Sequence, residues 1–146
     1  MKNIDSKKGQ VWVETVIYTL IAFTMIGLVL TFARPKIEET RDKAVIEQSL
    51  EILDSLYNTI RSINQGGPGN KRVVDLSIRD GEFEIDGSKD AIVFEIEGRY
   101  RYSEPGKKIS SGGVSAYTEE RGKSIAVTFT LDYSGQYNLT FDSLDE

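Results

Sequence analysis

The strongest constraint on this chain is a stretch of 18 residues, positions 16–33, that holds no charged side chain. Its polar atoms are the phenol of Tyr18 and the hydroxyls of Thr19, Thr24 and Thr31. A threonine hydroxyl can bond to the carbonyl one turn earlier, so a helix here need expose no unsatisfied polar group. Such a helix is about 27 Å long, close to the ~30 Å hydrocarbon core of a bilayer. Burying it inside the protein instead would need a larger body of chain around it than 146 residues supply. A secretory signal peptide would have a shorter apolar region followed by a small-residue cleavage site. Here Phe32-Ala33-Arg34-Pro35 follows, with no Ala-x-Ala pattern. The segment therefore predicts a membrane-spanning helix.

Whole-chain averages conceal this. Charged residues make up 28% of the chain and the net charge is −5, values ordinary for a soluble protein. They average an apolar first quarter with a polar, acidic remainder. The acidic balance gives no basic footprint for nucleic acid. With no cysteine and no histidine, disulfides, thiolate or imidazole zinc sites and Ser-His or Cys-His catalysis are excluded.

Immediately before the apolar stretch stands Lys7-Lys8-Gly9-Gln10-Val11-Trp12-Val13-Glu14. Glu14 is the feature a plain anchor does not explain. A carboxylate in a membrane helix costs about 2.5–3.5 kcal/mol at the centre on insertion scales and marks a functional candidate. Near a helix N-terminus the cost falls, because the dipole favours an acid there. The bland alternative is thus an interfacial Glu14 that helps to start the helix.

A basic pair, a glycine, a glutamate five residues on and an apolar run together resemble the processing site of type IV pilin-like precursors. More narrowly they resemble the archaeal form with a class III signal peptide. The resemblance covers roughly the first 30 residues. It implies cutting of the Gly9–Gln10 bond by a prepilin peptidase, a membrane aspartyl enzyme, on the cytoplasmic side. Gln10 then becomes the first residue and Glu14 the fifth. Lys7 and Lys8 match the positive residues before the cut, and Gln10 in place of an aromatic residue favours the archaeal relatives. In the family the fifth-position glutamate is thought to neutralise the new amine, here on Gln10, within one subunit or between neighbours. Pairing would enforce register, since an unpaired charge in a low-dielectric bundle is strongly destabilising. The implied partners are other pilin-like subunits, membrane lipid before assembly, and a pilus assembly membrane protein with its ATPase.

Charge does not set the orientation. Lys2, Lys7 and Lys8 precede the apolar run, but Arg34, Lys36, Arg41 and Lys43 follow it. An inside N-terminus and an extracellular C-terminal domain follow from the cleavage motif alone.

Beyond Pro35 the pattern becomes amphipathic. Proline can kink a helix or open a new one. Ile46, Leu50, Leu53, Tyr57 and Ile60 recur at spacings of three and four, one helical face that should pack on the domain that follows. Gln65-Gly66-Gly67-Pro68-Gly69-Asn70 breaks the helix. Thereafter the period is two. Strands are expected at Val74, Leu76 and Ile78; at Phe83 and Ile85; and at Ile92, Phe94 and Ile96, extended by Tyr100 and Tyr102. Further strands are expected from Val114 to Glu119, from Lys123 to Tyr133, and at Tyr137, Leu139 and Phe141. Residues 103–111 read as a loop. The organisation is a leader at 1–9, an apolar helix at 10–34, its amphipathic continuation at 35–65 and an antiparallel head at 66–146. The fold class is α+β, a long N-terminal helix followed by an antiparallel sheet or small β-sandwich.

Other chemistry is thin. Asp80, Glu82, Glu84 and Asp86 lie close in sequence but lack the spacing of a calcium loop. The Arg99-Tyr100-Arg101-Tyr102 run mixes bases and aromatics as single-strand binders do, yet alternation would put the tyrosines on one face and the arginines on the other. Gly66 to Gly69 is followed by no Lys-Ser/Thr and is not a phosphate loop. Asn138-Leu139-Thr140 fits the N-glycosylation sequon. No metal and no cofactor is expected, and no nucleophile–base pair suggests an enzyme. Two expectations remain: a polymerising subunit of an archaeal surface filament, or an anchored accessory protein of the envelope, a minor pilin or one associated with an archaellum or surface layer, that never polymerises.

Overall fold

The computed structural model describes residues 5–140, with side chains from residue 11 onward. Helix α1 spans Asp5–Gln65 and carries Pro35 in its interior. Proline has no N–H, so the carbonyl of Thr31 lacks its amide donor there. Five strands follow: β1 Glu82–Asp86, β2 Ala91–Gly98, β3 Lys108–Ser111, β4 Val114–Arg121 and β5 Ser124–Asp132. They form one sheet in the order β1-β2-β5-β4-β3, with every neighbouring pair antiparallel. The architecture is α+β, with a single open sheet rather than a sandwich among the described residues.

The chain divides into two compact units, Met1–Glu38 and Glu39–Glu146. The first holds the apolar part of α1. The second holds the remainder of α1 and the sheet, and it has a core of its own.

That core lies on one face of the sheet. Ile92, Phe94 and Ile96 of β2, Val127, Phe129 and Leu131 of β5, and Val114 and Ala116 of β4 are all buried. Strand alternation puts these residues on a common side, and the register places Phe94 beside Phe129 and Phe129 beside Ala116. Ile46, Leu53 and Leu56 of α1 belong to the same cluster. The buried helical stripe runs 46, 49, 53, 56, so it includes Ser49 and Leu56, whereas Leu50, Tyr57 and Ile60 are only partly buried against it. Ser49 is admitted because its hydroxyl donates to the Val45 carbonyl at 2.8 Å.

Four sequence expectations change. Residues 71–79 form no strand. Leu76 and Ile78 still pack against the core, because alternation records which side chains face inward, not whether the backbone joins a ladder. Tyr100 and Tyr102 lie beyond the end of β2 in an irregular segment. Tyr102 turns edge-on to Phe129, with ring centroids 5.4 Å apart, and Tyr100 lies 5.9 Å beneath the Lys43 ammonium. The loop expected at 103–111 contains β3. Tyr137 and Leu139 are not in a strand, and Phe141 lies outside the described residues.

Two glycines are dictated by geometry. Gly112 has φ of +62° at the first position of the two-residue link between β3 and β4, the arrangement of a type II′ hairpin turn. At Gly98 a Cβ would stand 2.8 Å from the Asp42 carboxylate. That close approach lets Asp42 accept a hydrogen bond from the Arg99 N–H at 2.7 Å, tying α1 to the end of β2.

The β1–β2 loop supplies a pH-dependent element. Asp86 accepts from Ser88 N–H at 3.0 Å and Lys89 N–H at 3.1 Å, and its other oxygen meets the Lys89 ammonium at 2.8 Å. Hydrogen bonds from Lys89 foremost, and then Ser88, hold the Asp86 carboxyl well below the usual carboxylate range. Asp132, bonded by Ser134, is lowered as well. A lowered folded-state pKa means that the ionised form stabilises the fold. The contribution is complete above the unfolded value of about 3.9 and is lost as pH falls through the folded value. The denaturation midpoint of the sheet unit should therefore drop below about pH 4. Asp86→Asn should lower the midpoint at pH 7 and shrink the difference between pH 7 and acid, as read by circular dichroism in urea.

Candidate membrane and assembly helix

The first unit is built from a sequence of strong helix formers and β-branched residues, with glycines only at positions 9 and 27 before Pro35. Across residues 11–32 every side chain is exposed within the single chain. Trp12 is 71% exposed, Phe23 70% and Phe32 76%. The segment is therefore apolar apart from Glu14, and among the described residues its side chains are left uncovered. A helix of this kind is long and apolar enough to cross a membrane.

Its threonine hydroxyls are internally satisfied. Thr15 donates to the Val11 carbonyl at 2.9 Å, Thr19 to Thr15, Thr24 to Leu20 and Thr31 to Gly27, each of the last three at 2.8 Å. Back-bonding hides the oxygen against the helix. Glu14 alone carries charge between residues 11 and 33. It lies on α1 three residues after Val11 and its side chain is exposed. Positions 7–10, which hold the expected cleavage motif, fall within α1, but the side chains of Lys7, Lys8 and Gln10 lie outside the described residues. The pairing expected between Glu14 and an amine at Gln10 involves a residue whose surroundings lie outside the described side chains.

Elsewhere several charged groups are engaged with one another. Asp80 meets Arg41 at 3.0 Å and Asp86 meets Lys89, so two of the four acids singled out for calcium are engaged by separate cations. Among the described residues no group of three or more carboxylates is placed to hold a metal ion. Arg101 pairs with Glu120. Arg121 bridges Glu95 at 2.5 Å and Glu119 at 3.1 Å, which keeps its guanidinium firmly protonated.

Asn138 and Thr140 are exposed in the segment after β5. That segment is held in place by Asp90, whose carbonyl accepts from Tyr133 N–H at 2.9 Å and whose carboxylate accepts from Leu139 N–H at 2.9 Å. Asp90 itself has φ of +51°, a conformation aspartate tolerates better than most residues. Tyr133 is buried, and burial first, with Tyr57 and Tyr137 nearby, pushes its phenol up to about 12.

The sequence reading missed Asp90 and Asp42, the two residues that fasten loops in the second unit. Nothing in local pattern distinguishes them from the other acids, since their partners lie 49 and 57 residues away. Comparisons with known protein families, with curated proteins and with solved structures found no match to this chain.

Proposed function

We propose that this chain is a pilin-like structural subunit of an archaeal type IV pilus-like surface filament. It is made as a membrane precursor, cut between Gly9 and Gln10 and assembled through α1, with the sheet unit outside the cell. The observation that carries this reading is the uncovered apolar surface of residues 11–32 interrupted by Glu14 alone. A lipid anchor has no use for that carboxylate. An assembly helix has one, because a new amine four residues upstream needs a counter-charge in a low-dielectric bundle. Gly9 also suits the processing step. It carries no side chain to obstruct a protease cleft and weakens the helix by about 1 kcal/mol relative to alanine. Lipid, the processing peptidase, sibling subunits and an assembly ATPase with its membrane protein are the partners this reading requires.

Intact mass of the protein recovered from an archaeal host should correspond to a chain beginning at Gln10; a chain beginning at Met1 removes the processing step. Glu14→Ala should leave membrane association unchanged and reduce filaments sheared from cells by at least tenfold. Unaltered filaments would reduce Glu14 to a helix-start residue. Absence of filaments from the unmodified protein would favour a membrane-anchored accessory protein that does not polymerise.

A further inference from the structure

The face of the sheet that bears no core carries a polarity running from one edge to the other. The registers define a single row across it: Lys108 of β3 beside Tyr117, then Thr128, then Glu95, and finally Glu82 of β1. The next row begins at Ser110 and ends at Glu84. One end of the sheet thus presents a cation and the other two carboxylates. Glu82 and Glu84 are exposed. The Lys89 ammonium, paired to Asp86, is near enough to Glu84 to feel its charge, and no ion pair closer than that is formed by either glutamate among the described residues.

The two edges also differ in their backbones. In a two-residue hairpin the residues flanking the turn, Ser111 and Val114, form a hydrogen-bonded pair. Alternation then turns the N–H and C=O groups of Lys108 and Ser110 away from β4. All four residues of β3 are exposed, and only Lys108 guards that edge by charge. The opposite edge is guarded by Glu82 and Glu84, Asp86 being engaged by Lys89.

We propose that the β3 edge of one copy docks against the β1 edge of a second copy, with Lys108 facing Glu82 and Glu84. Four antiparallel steps separate β1 from β3, so the two edge strands run in the same direction. A second copy related by translation therefore brings its β1 parallel to β3, with matching faces and the rows continuing. Like edges meeting would instead set the acids of β1 toward one another, or leave Lys108 of β3 opposite serines with no carboxylate partner. The contact is heterologous, so it repeats head to tail and leaves an open series rather than a closed dimer. It rests on the filament reading for its setting, but the contact itself needs only a second copy of this chain.

A zero-length carbodiimide tests this on the full chain in native membranes, because it joins an amine to a carboxylate only where they touch. Within one chain the two edges are about 19 Å apart, four strand spacings of about 4.8 Å. Any Lys108–Glu82 or Lys108–Glu84 amide is therefore intermolecular. The Lys107–Glu104 pair, at 2.6 Å, is the internal control for the reagent. The expected result is one or both Lys108 links by peptide mass spectrometry, with yield falling at least threefold between about 0.05 and about 0.5 M salt as the charges are screened. Lys107–Glu104 links without any Lys108 link to β1 would overturn the docking, as would oligomers joined only through like edges. Electron microscopy of the same preparation separates the two readings. Filaments without Lys108 links remove the docking alone. Lys108 links without filaments keep the docking and remove the filament.

Discussion

Phe129→Ala is expected to cost the sheet unit about 3–5 kcal/mol, the range for truncating a buried aromatic. Phe129 is 0% exposed at the middle of β5, the central strand of five. Phe94 stands beside it on β2 and Ala116 on β4, and Tyr102 closes over it edge-on. No neighbour can collapse into the space without breaking that arrangement, so the cavity term is added to the lost transfer energy. Domains of this size carry about 5–15 kcal/mol in total, which makes the loss a large share of the whole. Phe129→Leu, which keeps most of the volume, should cost far less. Urea unfolding of the detergent-solubilised full chain, followed by circular dichroism, checks both. A Phe129→Ala midpoint equal to that of the parent would mean the core is not centred there.

The second large effect concerns residues 11–33. Introducing Phe23→Lys together with Ile26→Lys puts two ammonium groups at the middle of the apolar run. Each is worth about 2.5–3.5 kcal/mol against insertion, about 5–7 together. The variant should leave the alkali-resistant membrane fraction almost completely, whereas Glu14→Ala should remain in it. A doubly substituted chain that stays integral would refute the spanning helix. The Phe129 and double-lysine variants probe separate units, so a loss of membrane retention with an unaltered unfolding midpoint assigns the effect to α1.

What the sequence discloses follows from how each element is stabilised. The helix and strands β1, β2, β4 and β5 were legible because apolar residues recur at the period their burial demands. Strand β3 was not. Lys108-Ile109-Ser110-Ser111 has one apolar residue and no alternation, and the strand exists because the Gly112 turn folds it back onto β4. The converse failure occurs at Val74, Leu76 and Ile78, where alternation is present without a ladder partner. On α1 the predicted stripe drifted one residue toward Leu50 and Tyr57. Hydropathy ranks Ser49 as polar, while its back-bonded hydroxyl makes it a small residue suited to a close approach. For the candidate site, Glu14 and the glycine five residues before it stand out in the sequence as a pattern. The long-range acids Asp42 and Asp90 do not, since their significance arises only once distant loops meet them.

The four threonines of the apolar helix have a consequence for how that surface exchanges environments. With every hydroxyl turned inward to a carbonyl, the outward atoms at those positions are methyl groups. Moving the helix from acyl chains to a neighbouring protein surface would break none of these bonds and expose no new dipole. The polar cost of such a transfer falls on Glu14 and, more lightly, on the phenol of Tyr18. The threonine positions are in this sense indifferent to which apolar medium surrounds the helix, and the Glu14 carboxylate is where two such media would differ most.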